Sequence, residues 1–376
     1  MEDADREDRH AEAADALRRL LVGRIVAAGA LPDPAWRAAF ERVPRHLFVP
    51  EYFSPRPGGY ERLAGDDPDP QERARWLTGA YEDVPLVTRV QDGRLISSSS
   101  QPSLMASMAG ALRVSEGLTV LEIGAGTGYN AALLAHRLGD DAVTTVDLDP
   151  VITEAARAHL AAAGAAPAVV TGDGALGHRG RAPYDRIVAT CELPSVPVGW
   201  LRQCRPGGLI LAPFASGLIL LTVTGPDRAE GRFLRTAAYF VPLRGTAAAH
   251  RPPEEGTEGA PGVVRRSGTP PRILEDGLFR FLLTLQAGPL EIGWDSGDRG
   301  VALTAPDGSS ARADRNGTVL AAGPRDLWAI AEGAYELWQR TSRPARDRYG
   351  LSVRDGRQWT WLDDPDGPHT WAVPPA

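Results

Sequence analysis

Gly124, Gly126 and Gly128 stand at alternate positions between the apolar run Val120-Leu121-Glu122-Ile123 and an alanine-rich stretch that begins at Tyr129-Asn130. A strand that enters a glycine turn and leaves as a helix is a ligand-binding device. Lacking a Cβ, glycines let backbone amides approach a ligand and adopt φ values closed to other residues. The spacing excludes two phosphate readings. A dinucleotide fingerprint would need glycine at 129, where Tyr129 stands, and a phosphate loop would need a Gly-Lys pair, whereas this chain has no lysine. Glu122, just ahead of the turn, is poorly suited to pyrophosphate and well suited to a ligand that carries an ammonium and a sulfonium.

Two further carboxylates follow in register with this turn. Asp147 ends the next apolar run, nineteen residues after Gly128, about where an acidic side chain meets ribose hydroxyls in a Rossmann-like unit. In Gly172-Asp173-Gly174, after the third run, Asp173 can accept a hydrogen bond from an adenine amino group; the alternative is a tight turn with a solvated aspartate. Asp149, followed by Pro150, reads as a helix N-cap. Upstream, Ser97-Ser98-Ser99-Ser100-Gln101-Pro102 passes directly into an apolar helix. Hydroxyls at a helix N-terminus can cap it and can also bind an anion such as a carboxylate. A serine nucleophile would need a base and an oxyanion hole that the sequence does not display. The seven histidines are scattered without spacing for a metal or a catalytic triad, and His46 reads as packing in the N-terminal cap.

The elements that would position these residues alternate in type. Apolar runs at 119–123, 142–146, 168–170, 186–190 and 208–213 alternate with helical segments from 130 and about 151, the pattern of a doubly wound parallel sheet. Ligands bind beyond the carboxyl ends of such strands, so Glu122, Asp147 and Asp173 should share one rim. Helical spacing from Ala11 to Val26 and from Pro34 to Phe40 predicts a helical N-terminal cap over residues 1–78, with 54–79 an irregular insertion rich in Pro, Gly and Asp. Residues 79–245 form the ligand-binding domain, 246–272 a linker, and 273–376 a separate α+β C-terminal domain. That domain holds a helix over 325–340, hairpin-like strands around Trp359-Thr360-Trp361, and six of the nine tryptophans. Core packing is their simplest role, and an aromatic peptide-binding surface is the alternative.

Composition narrows the partners. With 376 residues and 43% apolar content the chain can bury a large core. A net charge of -7, with Arg, Asp and Glu interspersed, argues against nucleic acid. No apolar segment approaches the roughly 20 residues of a membrane span, and the acidic opening is unlike a secretory signal, so a cytoplasmic protein without a membrane partner is expected. Cys191 and Cys204 lack metal-ligand spacing and read as buried free thiols. No metal site is expected.

The turn at 122–128 resembles the E-x-G-x-G-x-G motif of S-adenosylmethionine methyltransferases. Several segments together are similar to the protein-L-isoaspartate O-methyltransferase family: Val43 to Pro50, Ala80 to Asp83, Ser100-Gln101-Pro102, Val120 to Tyr129, Gly172-Asp173-Gly174, Pro206-Gly207-Gly208 and Phe240 to Leu243. The resemblance covers roughly residues 35 to 245. It implies a Rossmann-like class I methyltransferase domain, S-adenosylmethionine as cofactor, and Glu122, Gly124, Gly126, Gly128, Asp147, Asp173 and Gly174 as its holders. It implies that Ser99 and Ser100 act in catalysis, Ser100 standing at the family's active-site serine, and that Ser98, Gln101 and Val241 face the substrate carboxylate. There are departures. Ser98-Ser99-Ser100 replaces Thr-Ile-Ser, making an apolar position polar, and the insertion and the residues after 270 exceed the compact repair enzyme. The serine run, Trp76 to Tyr81 and Ala189-Thr190-Cys191 are similar to methyltransferases that accompany ATP-grasp peptide maturases. This implies, as partner, a crosslinked ribosomal peptide (a graspetide) methylated on aspartate on the way to a succinimide. General repair of isoaspartate, or an inactive cofactor-binding protein that recognises peptides, are the alternatives.

Overall fold

The computed structural model describes residues 2–91, 94–245, 262–294 and 300–373. The chain opens with α1 (Glu2–Ala27) and α2 (Pro34–Arg42). Asp33 starts α2 by accepting a bond from the Ala35 amide, with Pro34 at the first helical position, where its missing N–H costs nothing. Helix α2 buries Trp36 and Phe40, each aromatic contributing on the order of 1.5–3 kcal/mol. Phe40 and Phe48 pack against Tyr129 with ring centroids 6.3 and 5.5 Å away, which seats the cap on the helix that follows the glycine turn.

The segment expected to be irregular is ordered. It forms a hairpin, β1 (Glu51–Arg56) and β2 (Gly59–Ala64), then α3 (Pro70–Ala80). Gly58 and Gly59, with φ of 86° and 151°, make the turn, and Asp69-Pro70 supplies an N-cap and first-turn proline. With β3 (Leu86–Gln91) and β4 (Arg94–Ser99) they build a small sheet in the order β2-β1-β3-β4. Helix α4 (Pro102–Ala111) follows the serines at once.

The main sheet begins with β5 (Val120–Ile123), α5 (Tyr129–Leu138), β6 (Val143–Asp147), α6 (Pro150–Ala162), β7 (Ala168–Thr171), β8 (Tyr184–Ala189), α7 (Val198–Gln203) and β9 (Cys204–Phe214). All five strands are parallel, in the order β7-β6-β5-β8-β9. The chain moves outward from β5 to β7 and then crosses to the other side at β8. This reversal opens a crevice at the carboxyl end of β5. Strands β10 (Gly217–Gly225) and β11 (Arg228–Ala237) extend the sheet as an antiparallel meander.

The C-terminal region holds β12 (Val263–Arg266), α8 (Gly277–Ala287), β13 (Glu291–Trp294), β14 (Val301–Thr304), β15 (Ser310–Ala313), β16 (Thr318–Ala322), α9 (Leu327–Arg340), β17 (Tyr349–Arg354), β18 (Arg357–Leu362) and β19 (Thr370–Ala372). Strands β12 to β16 make a five-stranded antiparallel sheet. The expectation of a separate domain needs correction, because β17, β18 and β19 continue the main sheet beyond β11 to ten strands. An open edge at β11 would expose a row of unpaired backbone groups, and β17 pairs with them. One hydrophobic core runs through both regions: Phe281 packs edge-on to Phe233 at 4.9 Å and to Tyr349 at 5.4 Å. The linker expected at 246–272 lies outside the described residues up to 261, and its last part forms β12. Trp328, Trp338 and Trp361 are core residues, whereas Trp294 is exposed. Among the described residues, no helix is long and apolar enough to cross a membrane, and no cluster of His, Cys, Asp or Glu could hold a metal.

Candidate active site

The three glycines of the turn lack a side chain for three different reasons. All have positive φ, of 95°, 51° and 87°. A Cβ on Gly124 would sit 2.5 Å from Thr190 Oγ1, whose hydroxyl donates to the Gly124 carbonyl at 2.8 Å and ties the turn to the end of β8. A Cβ on Gly128 would meet the Ala156 carbonyl at 3.3 Å, so this glycine lets α5 approach α6; it does not line the crevice. Gly126 alone would meet nothing closer than ordinary van der Waals contact, the nearest atom to its missing Cβ being the Ser98 carbonyl oxygen at 3.6 Å. Gly124 and Gly126 therefore line the crevice, and Gly128 serves packing.

Glu122 and Asp147 line this crevice, a cleft of about 830 Å³ counted to its open mouth. Glu122 is fully buried, with both carboxylate oxygens engaged at 2.6 Å, one by Asn130 Nδ2 and one by Thr145 Oγ1. Burial pushes its carboxyl up to about 7, a rise opposed by these two hydrogen bonds. Asp147 accepts from the Gly126 amide at 3.2 Å and from the Asp149 amide at 3.3 Å, which fixes it against the turn. Asp173 caps the short turn at 174–176 through the Ala175 amide, next to Gly174 in the cleft lining. The three carboxylates thus stand at the tips of neighbouring strands β5, β6 and β7. Asp149 is the N-cap of α6, as its position before Pro150 predicts. It also accepts from Arg89 of β3 at 2.7 Å, an ion pair that binds the small sheet to this rim.

Strand alternation sorts the serines. Ser97 and Ser99 point inward and are buried, while Ser98 and Ser100 are half-buried, and all four line the cleft. Ser97 Oγ accepts from Thr88, whereas the Ser99 hydroxyl has no partner among the described residues. A buried, unpaired hydroxyl costs on the order of 1–3 kcal/mol. Gln101 does not join them. Its amide donates to Asp83 at 3.3 Å and to Ser103 at 3.0 Å, outside the cleft lining, because the chain turns there into α4. Gln101 positions that helix start.

Arg45 is the residue that sequence reasoning undervalued. Fully buried, its guanidinium donates to the carbonyls of Ala80, Glu82, Val84 and Ser100 at 2.8–3.2 Å. Burial lowers its pKa to about 10, so it stays charged at neutral pH. It clamps the backbone of the serine segment. The signal in the sequence was an arginine amid the apolar Val43 to Val49. His46 packs in the cap, as expected, bonded to the Tyr81 hydroxyl at 2.7 Å.

The segment 241–245 roofs the cleft. The Leu243 amide donates to the Glu192 carbonyl at 2.8 Å and Glu192 donates to the Val241 carbonyl at 2.9 Å, which hangs Val241 beyond the end of β8. Arg244 then reaches Asp147 at 3.5 Å, and Gly245 lies so close over Asp173 that a Cβ would fall within 2.4 Å of its carboxylate. Cys191 and Cys204 are buried free thiols, and burial raises each to about 12, so neither is a thiolate.

A parallel sheet with its reversal at β5, a glycine turn that approaches the ligand through backbone, and carboxylates at three adjacent strand tips define a class I S-adenosylmethionine-dependent methyltransferase. A profile of the protein-L-isoaspartate(D-aspartate) O-methyltransferase family matches residues 70–245. Protein-L-isoaspartate O-methyltransferase 1 of Archaeoglobus fulgidus is 35% identical over 233 residues, spanning 61% of this chain and 94% of that protein. Its counterpart in Methanothermobacter thermautotrophicus is also 35% identical, over 61% of this chain and 95% of that one. This chain belongs to the protein-L-isoaspartate O-methyltransferase family of carboxyl O-methyltransferases. A solved protein-L-isoaspartate O-methyltransferase shares the fold over 94% of this chain and 98% of its own, with a TM-score of 0.55 and 21% identity. That coverage runs into the C-terminal region, so the region is not by itself a departure from proteins of that name.

Proposed function

We propose that this enzyme transfers a methyl group from S-adenosylmethionine to an aspartate side-chain carboxylate of a ribosomally made, crosslinked peptide, and that the ester then collapses to a succinimide. One observation carries the reading: Ser99, at a position the family fills with an apolar residue, presents a buried hydroxyl without a partner to the same cleft as Ser98 and Ser100. A pocket with more donors suits a carboxylate set among other polar carbonyls, such as a crosslinked peptide carries. The donor would be held by Glu122 at its ammonium, Asp147 at its ribose, Asp173 and Gly174 at its adenine, and the backbone of Gly124 and Gly126 along its chain.

The chemistry makes few demands. A carboxyl group with a pKa near 4 is about 99.9% ionised at neutral pH, so no general base is needed. One carboxylate oxygen attacks the methyl carbon in line, the carbon–sulfur bond breaks, and its electron pair stays on sulfur as the sulfonium becomes a neutral thioether. Positioning of the two reactants can supply up to roughly 7–11 kcal/mol of the barrier. Ser99 and Ser100 orient the carboxylate with Val241 closing one side. They must hold it lightly, because the nucleophile loses charge in the transition state. The next residue's backbone amide nitrogen then attacks the ester carbonyl, its proton leaves with methoxide as methanol, and the five-membered imide remains.

A second reading, repair of isoaspartate in damaged proteins, is favoured by the names of the relatives, which this chain matches over most of their length. The acceptor separates the two. Incubation with a generic isoaspartyl peptide and methyl-labelled donor is expected to give slow labelling, and a crosslinked precursor rapid labelling. Rapid methylation of the generic peptide would overturn the first reading in favour of repair.

A further inference from the structure

The roof of the cleft has an anchored part and a free end. Glu192 is the anchor. Besides the two main-chain bonds that hold Val241 and Leu243, its carboxylate accepts from the Ser216 amide at 3.3 Å, at a turn where Ala215 and Ser216 have φ of 49° and 61°. Leu243 is 4% exposed and belongs to the hydrophobic core. Arg244 and Gly245 extend past this point, and among the described residues no main-chain hydrogen bond holds either of them.

These two residues lie on the groups assigned to the donor. Arg244 reaches the Asp147 carboxylate at 3.5 Å, and Gly245 stands over Asp173, where a Cβ would fall 2.4, 2.7 and 2.8 Å from the three carboxylate atoms. Asp147 and Asp173 follow the neighbouring strands β6 and β7, so one short segment covers both the ribose and the adenine end. With the segment down, the cavity left inside the cleft is about 90 Å³, well below the roughly 300–1,000 Å³ of a small-molecule site. Donor and segment therefore compete for the same carboxylates. Gly245 has a φ of 118°, which glycine adopts readily and other residues do not, so the covering position requires this glycine. The hold is light, because the Arg244 side chain is 38% exposed and its ion pair is long.

We infer that Arg244-Gly245 is a self-inhibitory strap: it covers the ribose and adenine end of the donor site and must lift before S-adenosylmethionine enters, while Val241, on the anchored side of Leu243, keeps its place. The inference rests on the reading of Asp147 and Asp173 as holders of the donor. Only molecules with the strap lifted bind donor, so apparent affinity is reduced by that fraction. Gly245→Ala disfavours the covering position twice, through backbone strain at this φ and through the clash with Asp173. Arg244→Ala removes the side-chain contact alone and acts in the same direction, more weakly.

Surface plasmon resonance of the immobilised full chain with S-adenosylmethionine reads association and affinity without any acceptor peptide. Gly245→Ala should associate on the order of tenfold faster than wild type and bind correspondingly tighter, with dissociation nearly unchanged. Arg244→Ala, whose backbone is unaltered, should fall between the two. Association and affinity equal to wild type in Gly245→Ala would overturn the strap, and so would weaker binding, which would show Gly245 holding the donor. A third variant tests the underlying reading. Asp147→Asn, made in the Gly245→Ala background, takes the charge from the ribose contact and should weaken binding on the order of tenfold. If it binds the donor as tightly as Gly245→Ala alone, the assignment of the donor site itself fails. If it weakens binding while Gly245→Ala alone matches wild type, that assignment stands and the strap alone is refuted.

Discussion

Titrating donor affinity against pH in wild type and in Glu122→Gln tests the role given to the buried carboxylate. With a value of about 7 in the ligand-free protein, Glu122 is about one-tenth ionised at pH 6 and nine-tenths at pH 8. The neutral form is the one the empty fold prefers. Its contribution to stability is fully present below the ordinary value of 4.5 and is lost as pH rises through about 7. A donor ammonium reverses that preference, so binding below pH 7 must expel a proton. Wild-type affinity should therefore rise about tenfold, or about 1.4 kcal/mol, between pH 6 and pH 8 relative to the variant. Glutamine can keep both neighbours, accepting from Asn130 and donating to Thr145, so it removes the charge without emptying the site. Comparison with the variant cancels the titration of the donor's own amine. Isothermal calorimetry in two buffers of different ionisation enthalpy counts the protons directly. If wild type and Glu122→Gln follow the same pH curve, Glu122 holds the turn and does not meet the ammonium.

Ser99→Ala should leave stability unchanged or slightly higher, since the hydroxyl makes no bond to lose, while turnover falls; Ser100→Ala should also lower turnover with donor affinity nearly intact, both read by steady-state kinetics and thermal melts. Arg45→Met removes the buried donor of four carbonyls, those of Ala80, Glu82, Val84 and Ser100, and should cost about 3 kcal/mol in urea unfolding, with a higher KM for the acceptor because Ser100 is released. Arg244→Ala removes a half-exposed partner of Asp147 that would compete with the ribose in the proposed donor site, so donor affinity should rise no more than about fivefold, an effect that fades in high salt.

What the sequence disclosed depended on how local each signal is. The five parallel strands are short apolar runs bounded by turn residues, and their carboxyl ends follow from the alternation with helices, so Glu122, Asp147 and Asp173 could be set on one rim without coordinates. The partners in the ten-stranded sheet were not local: β11 pairs with β17 more than a hundred residues later, and nothing in either strand names the other. The hairpin at 51–64 was hidden by Pro55, Gly58 and Gly59, which read as a loop but stand at a strand edge and a tight turn. Asp69-Pro70 was a legible helix start, masked by the acidic and proline-rich residues around it. Within the site, motif spacing could mark three glycines but not assign their tasks, because Gly128 faces another helix rather than the cleft. Gln101 directly follows the cleft-lining Ser100 in sequence, yet the turn into α4 carries its amide to Asp83. Arg45 was invisible as a clamp, since its four partners are backbone carbonyls drawn from two distant loops.

The most direct measurement is the fate of a labelled methyl group. The enzyme is incubated with methyl-labelled S-adenosylmethionine and an aspartyl peptide, either a crosslinked precursor or a generic isoaspartyl sequence, and the product is treated with mild alkali. A carboxyl ester releases the label as volatile methanol, and mass spectrometry shows one methyl gained and then a net loss of water as the imide closes. Label that stays on the peptide through alkali would place the methyl on nitrogen, sulfur or carbon and contradict the account.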